Sequence, residues 1–382
     1  MRALNRLGSA AAAVALTAAT AAAFAGPASA ATAHDSFPGA GHAVFVQTDN
    51  TTGNRVVAYH RSGDGKLTWA HSYSTDGLGG VLTGSVVDHL ASQGSLRYDP
   101  EHGLLYAVNA GSNTLSVFSV SGDKLSLRQV INSGGSFPVS VATYGDLVYA
   151  VNAENGGSVQ GYRVFLGRLF PIPGSNRPLG LDPTATPQFT NTPGQVAFSP
   201  AGSQLIVTTK ANGSDIDVFA VHAGGRLSRS PVVNSEPGTV PFGISFDQAG
   251  HLVIADAGTD ALASYALAPD GVVSLIDSVG NSQAATCWVA PAGGFLYASN
   301  AGSADVSGYS SSTSGNLTLL GETPTDTGTV DASASAGGHF LYVQTGGSGI
   351  VDEYKVGPSG SLTEIGSVTV AGAVGGEGIF AA

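Results

Sequence analysis

Leu105-Tyr106-Ala107-Val108-Asn109-Ala110-Gly111-Ser112 and Leu296-Tyr297-Ala298-Ser299-Asn300-Ala301-Gly302-Ser303 are two copies of one pattern, an apolar run that ends in Asn before small turn-forming residues. Shorter versions of the apolar run lie at Val44-Phe45-Val46, Val148-Tyr149-Ala150, Leu205-Ile206-Val207, Leu252-Val253-Ile254 and Leu341-Tyr342-Val343. The seven central residues are separated by 61, 43, 57, 47, 44 and 45 positions. A base period near 45 with two longer gaps is the spacing of propeller blades. Helix-pair solenoids have similar periods, so composition has to arbitrate. Beyond residue 30 no stretch longer than 11 residues lacks Gly or Pro, and Gly supplies 54 of the 382 residues. Helices of ordinary length do not fit between such breakers. The expected class is all-β.

One repeat shows the layout. Phe242-Gly243-Ile244-Ser245-Phe246 reads as a first strand and Asp247-Gln248-Ala249-Gly250 as its turn. Leu252 to Ala255 reads as a second strand covered on both faces. Ala261 to Leu267 alternates as a third, Pro269-Asp270-Gly271 turns, and Val272 to Val279 makes a fourth. A lone four-stranded blade leaves two apolar faces bare, and seven around an axis cover them. The expected architecture is therefore a seven-bladed β-propeller. Its first repeat opens at Val44 without a first strand, while Gly376-Glu377-Gly378-Ile379-Phe380 resembles Phe242 to Phe246. The C-terminal strand is expected to close the ring as the innermost strand of the blade begun by Val44. The two longer gaps carry insertions at Asp76 to Gln93 and Pro173 to Pro193, both placed before a first strand and on one face. Long loops on a rigid scaffold are where binding usually lives.

The N-terminus reads as a secretory signal over residues 1–30, with Arg2 and Arg6, an Ala-rich run from Ser9 to Ala25, and Ala28-Ser29-Ala30 as the cleavage pattern. A short segment, 31–39, then leads into a propeller domain over 40–382. Such a chain is expected to be secreted and monomeric. The signal contains no acid, so its removal takes the formal charge from −12 to −14. Charged residues are only 11% of the chain against about 25% in average proteins. An acidic domain with four lysines lacks the footprint that nucleic acid or an anionic membrane requires. Cys287 is the one cysteine, so no internal disulfide forms, and beside Trp288 it reads as a buried structural thiol.

The blade patterns at Leu105 to Ser112 and Leu296 to Ser303, with the turn Ser199-Pro200-Ala201-Gly202, resemble the lactonase-type seven-bladed propellers. That family includes propeller-type 6-phosphogluconolactonases and carboxy-muconate lactonizing enzymes. The resemblance spans 40–382 and implies a site of His, Arg and Glu at the channel mouth. Family members carry His or Arg beside Pro ahead of a first strand, and Asn-Glu after a second. Here the matching positions read Phe137-Pro138-Val139, Pro193-Gly194-Gln195, Asn152-Ala153-Glu154 and Thr208-Thr209-Lys210, so Glu154 is displaced by one residue and the constellation does not transfer whole.

Within that frame Glu154 is the candidate base or water-orienting group, with Lys210 or Arg177 as the partner of an oxyanion. Asn109, Asn152, Asp256, Asn300 and Glu377 are candidate binding residues ringing the mouth, joined there by Glu236, Asp260, Asp305 and Asn212. Such oxygens would suit Ca²⁺, although Asn and Asp are also what tight turns want, and no cofactor or metal ligand set is assigned. His102, His251 and His339 read as solvated turn residues on the opposite face, while His71 and His89 flank the first insertion. Phe170 and Phe189 either shape a pocket or pack the second insertion. No Ser elbow or phosphate loop is present, since Gly346-Gly347-Ser348-Gly349 leads into a strand. Two functions stay open: a lactonase or lactonizing enzyme acting on a small lactone, and a non-catalytic propeller binding an extracellular glycan, peptide or cell-wall partner. Export argues against an intracellular phosphorylated substrate.

Overall fold

In a computed structural model, which describes residues 39–382, the chain forms seven antiparallel sheets whose strand order runs outward from a common axis. The expected signal lies outside the described residues. Blade 1 comprises Ile379–Ala381, Ala43–Gln47, Arg55–Arg61 and Leu67–Ser74; blade 2, Leu96–Asp99, Leu104–Asn109, Thr114–Ser121 and Lys124–Asn132. Blade 3 comprises Pro138–Tyr144, Leu147–Asn152, Ser158–Phe165 and Arg168–Pro171; blade 4, Val196–Phe198, Gln204–Thr208, Asp215–Ala220 and Val232–Ser235. Blade 5 comprises Pro241–Phe246, Leu252–Asp256, Ala261–Leu267 and Val273–Gly280; blade 6, Thr286–Ala292, Phe295–Asn300, Asp305–Ser311 and Leu317–Pro324. Blade 7 comprises Thr329–Ala334, Phe340–Thr345, Ile350–Val356 and Leu362–Thr369. The fold is a seven-bladed β-propeller, and the seven apolar runs are its second strands, buried along their length.

The ring closes as the repeat implied. Ile379, Phe380 and Ala381 pair with Val46, Phe45 and Val44, and Tyr98 of blade 2 stacks on Phe380 with centroids 4.7 Å apart. Blades are pegged to each other by tyrosines in two directions. From second strands, the Tyr149, Tyr297 and Tyr342 hydroxyls donate to Gly225, Gly360 and Gly65 carbonyls in the outer turn of the next blade. From third strands, Tyr59, Tyr162, Tyr309 and Tyr354 donate back to Thr369, Asn132, Val279 and Pro324 at the outer strand of the preceding blade. Each ring fills the gap between sheets while its hydroxyl finds the acceptor that burial demands.

Blades 3 and 4 break the regularity. In the other five, a bulge just before the third-strand aromatic (Tyr59, Phe118, Tyr265, Tyr309, Tyr354) re-registers a long outer strand. Blade 3 has no such bulge; its outer strand stops at Pro171, and Arg177–Pro178 returns to pair with Ser158 and Val159. The second insertion therefore begins inside an interrupted fourth strand rather than after a complete one.

Candidate functional site

The first insertion packs on the second-to-third-strand loops, where the Gly79 N–H meets Asn50 and the Gly111 N–H meets Leu78, and from there it turns inward over the axis. Ser92 donates its hydroxyl to Val139 of blade 3, and its carbonyl receives the Trp288 indole N–H of blade 6. The Gln93 amide exchanges two hydrogen bonds with Val289 of blade 6, at 2.8 and 3.1 Å, while its backbone N–H reaches Gly194 at blade 4. The Gly94 N–H meets Glu377 Oε1 at blade 1. Only the axis lies within reach of the innermost strands of blades 1, 3, 4 and 6 together. Residues 88–94 thus lie across the axis, and Asp88, Leu90, Ala91, Ser92 and Gln93 are all buried there.

Four carboxyls lie beneath this segment. Asp88 caps the turn by accepting Leu90 and Ser92 amides, each at 2.8 Å. Asp49 accepts the Glu377 N–H at 2.8 Å and the Gln47 amide at 2.5 Å. Asp331 lies near enough to Glu377 for each carboxyl to perturb the other. Burial pushes Asp49 up to about 8. Burial likewise raises Asp88, Asp331 and Glu377; repulsion from neighbouring carboxyls adds to it at Asp331 and Glu377, while the Lys210 ammonium draws Asp88 back down. Of this group the sequence offered only Glu377 as a candidate, because its partners come from residues 49, 88 and 331.

Lys210 sits where a second strand ends, as expected, but it is enclosed. Its Nζ donates to the carbonyls of Ala91 and Phe189 at 2.6 Å each and to Thr192 Oγ1 at 3.0 Å, and it lies 5.1 Å from the Phe242 ring centre. The lysine therefore clasps both insertions together. Burial drives it down to about 7. Arg177 is engaged elsewhere: its guanidinium donates to the carbonyls of Gly174, Asn176, Leu227 and Ser228, tying blade 3 to blade 4. Glu154 is half-buried and accepts the Gln188 amide at 3.3 Å. The crevice beside it holds about 20 Å³, room for a water and not for a sugar ring. Among the described residues no hydrogen bond or ion pair joins Glu154 to Lys210 or Arg177.

The candidate binding residues are mostly fasteners. Asn109 Nδ2 donates to Thr114 and Ser116 hydroxyls, and Asn300 Nδ2 to Asp305 and Ser307, each stapling a second strand to a third. Asn152 does the same to Ser158 at 3.4 Å and to the Ser133 carbonyl. Asp256 is buried, with one oxygen unpartnered, and burial together with Glu236 raises it to about 8. Glu377 belongs to the carboxyl group under residues 88–94. These oxygens do not converge, and among the described residues no three His, Cys, Asp or Glu side chains are placed to hold a metal ion.

His102 and His251 lie in first-to-second-strand turns and pair with Asp99 and Asp247, each at 2.8 Å. His71 stands on the outer strand of blade 1 between Trp69 and Tyr73. His89 follows the insertion inward, donates its N–H to Gly375, and burial lowers it. Cys287 is buried and pushed up to about 12, the state of a structural thiol. Phe189 packs on the first insertion at Gly84, whereas Phe170 lines an outer cleft. No helix among the described residues is long and apolar enough to cross a membrane.

No family model and no curated protein sequence matches the chain. Solved structures do match. A "putative 6-phosphogluconolactonase" from Bacteroides uniformis superposes with a TM-score of 0.70 at 19% identity, over 87% of this chain and 98% of that one. The periplasmic gluconolactonase PpgL of Pseudomonas aeruginosa gives 0.68 at 17% identity, over 88% and 98%. A virginiamycin B lyase from Staphylococcus aureus gives 0.53 at 12%, over 76% and 89%. These names span different chemistries on one scaffold. What the chain shares with them is architecture: its fold is that of the lactonase-type seven-bladed propellers.

Proposed function

We propose that this protein is a secreted propeller of lactonase-like fold that works by binding an extracellular partner, with its axial chamber closed by its own chain. The observation that carries this reading is the seat of residues 88–94 across the mouth, fixed to blades 1, 3, 4 and 6. The two cations nominated for an oxyanion already hold carbonyl oxygens, and freeing either leaves those carbonyls without partners. The test is a pH-stat screen of the chain from Ala31 against sugar, muconolactone-type and aliphatic lactones, with Ca²⁺ and with chelator. Acid release at the uncatalysed rate is the expected result.

One observation favours lactone hydrolysis as a second reading. Glu154 faces a crevice of one-water size, and Gln188 fixes its carboxylate. There Glu154 would take a proton from water as the oxygen attacks a lactone carbonyl presented from outside. Turnover that is lost in Glu154→Gln would establish this reading and overturn the first.

A further inference from the structure

The outer strands of blades 1, 2, 5, 6 and 7 run eight or nine residues, and those of the adjacent blades 3 and 4 only four. Where the two shortened blades meet, a cleft of about 380 Å³ opens between Arg163, Phe170, Ile172, Pro173, Gly224 and Arg226. That is the size range of small-molecule sites, roughly 300–1,000 Å³. Arg163 and Phe170 are opposite each other in register, so guanidinium and ring share a face. Tyr162 points to blade 2, which turns this face toward blade 4. Phe165 lies on the same face, its ring 6.3 Å from Phe170, and the two rings are 63% and 50% exposed.

The charge here opposes that of the molecule. The chain carries −12, yet the residues lining the cleft include Arg163 and Arg226 and no acid. Asp146, outside that lining, pairs with Arg163. Among the described residues no hydrogen bond or ion pair engages the Arg226 guanidinium. Arg177 holds the carbonyls of Leu227 and Ser228, which fixes the backbone that carries Arg226. Pro171 and Pro173 remove N–H donors from this edge, so a peptide adding itself as a strand would lack its ladder.

We propose that this cleft binds a carboxylate borne on a six-membered ring, with Arg226 and Arg163 taking the carboxylate and Phe170 lying against the ring face. A guanidinium fork matches a carboxylate bidentately, and an exposed aromatic offers area at small entropy cost. The carboxylate ring has two sources, a uronic acid unit of a polysaccharide or an aromatic acid. The inference rests on the binding reading above and gives it a site and a ligand class.

The test is calorimetric titration of the chain with glucuronate and with benzoate, beside the neutral methyl glucoside and benzamide. At least one acid is expected to bind, and the tighter one names the source. Its neutral counterpart and the Arg226→Ala variant should each weaken binding about tenfold, the size of a lost charge-assisted bond. Phe170→Leu should weaken acid and neutral compounds alike. Arg226 is exposed, so its loss leaves folding intact, which circular dichroism would check. Three results overturn the proposal: no binding of either acid, equal binding of the neutral compound, or unchanged affinity in Arg226→Ala. Failure here with no lactone turnover overturns the cleft alone, whereas turnover lost in Glu154→Gln overturns the binding reading itself.

Discussion

Leu166 adopts a φ of +50° in the two-residue turn that ends with Gly167, and its side chain is 79% exposed. A left-handed conformation costs an L-residue about 1–2 kcal/mol, and Asn tolerates it best. Leu166→Asn is therefore expected to stabilise the fold by about 0.5–1 kcal/mol, read as a rise in the urea midpoint at constant slope. Other single residues were readable from sequence for local reasons. Asn109 and Asn300 recur at strand ends because their amides reach side-chain oxygens five and seven residues on. Lys210 was readable as a position and not as a role. Its acceptors lie 119, 21 and 18 residues away, and nothing beside it in sequence announces them.

At the scale of elements, the first insertion decides the site, and its chemistry sets a pH signature. The buried carboxyls hold protons in the folded state up to about 8 for Asp49, while in the unfolded chain they release them near their ordinary 3.8. Raised acids favour folding fully below the unfolded value and lose that contribution as pH climbs through the folded one. Lys210 runs the other way, because its folded value near 7 lies below the ordinary 10.5, so its cost shrinks only as pH rises from 7 toward 10.5. Stability should hence fall between about pH 5 and pH 7.5, where four acids act and the lysine does not yet compensate. Urea titrations at the two values check this, and Asp331→Asn should flatten the difference. A loop reading of residues 76–93 from sequence gave length and face, and was silent on the inward turn. Ser92 and Gln93 look like solvent-facing polar residues, and their partners are 196 positions away.

The whole molecule was the most legible level. Seven apolar runs, the turn residues between them and a displaced first strand specify a closed ring, because each signal is local and repeats. What repetition hides is its own exceptions: the interrupted outer strand of blade 3 and the short one of blade 4 follow from pairings the period does not contain. Closure makes a sharp prediction. Deleting the last eight residues removes Glu377 and the strand Ile379–Ala381, unpairing Val44 to Val46. The melting temperature should drop by roughly 10 °C or more, measured by calorimetry. The same arrangement sets an order of events. Residues 94 and 95 lock onto Glu377, whose own N–H must find Asp49. A chain made and threaded from its N-terminus delivers those acceptors last. Until Glu377 is in place, the Gly94 and Ser95 amides lack the acceptor that holds this end of the segment, so its seating and the closing of the ring are one event.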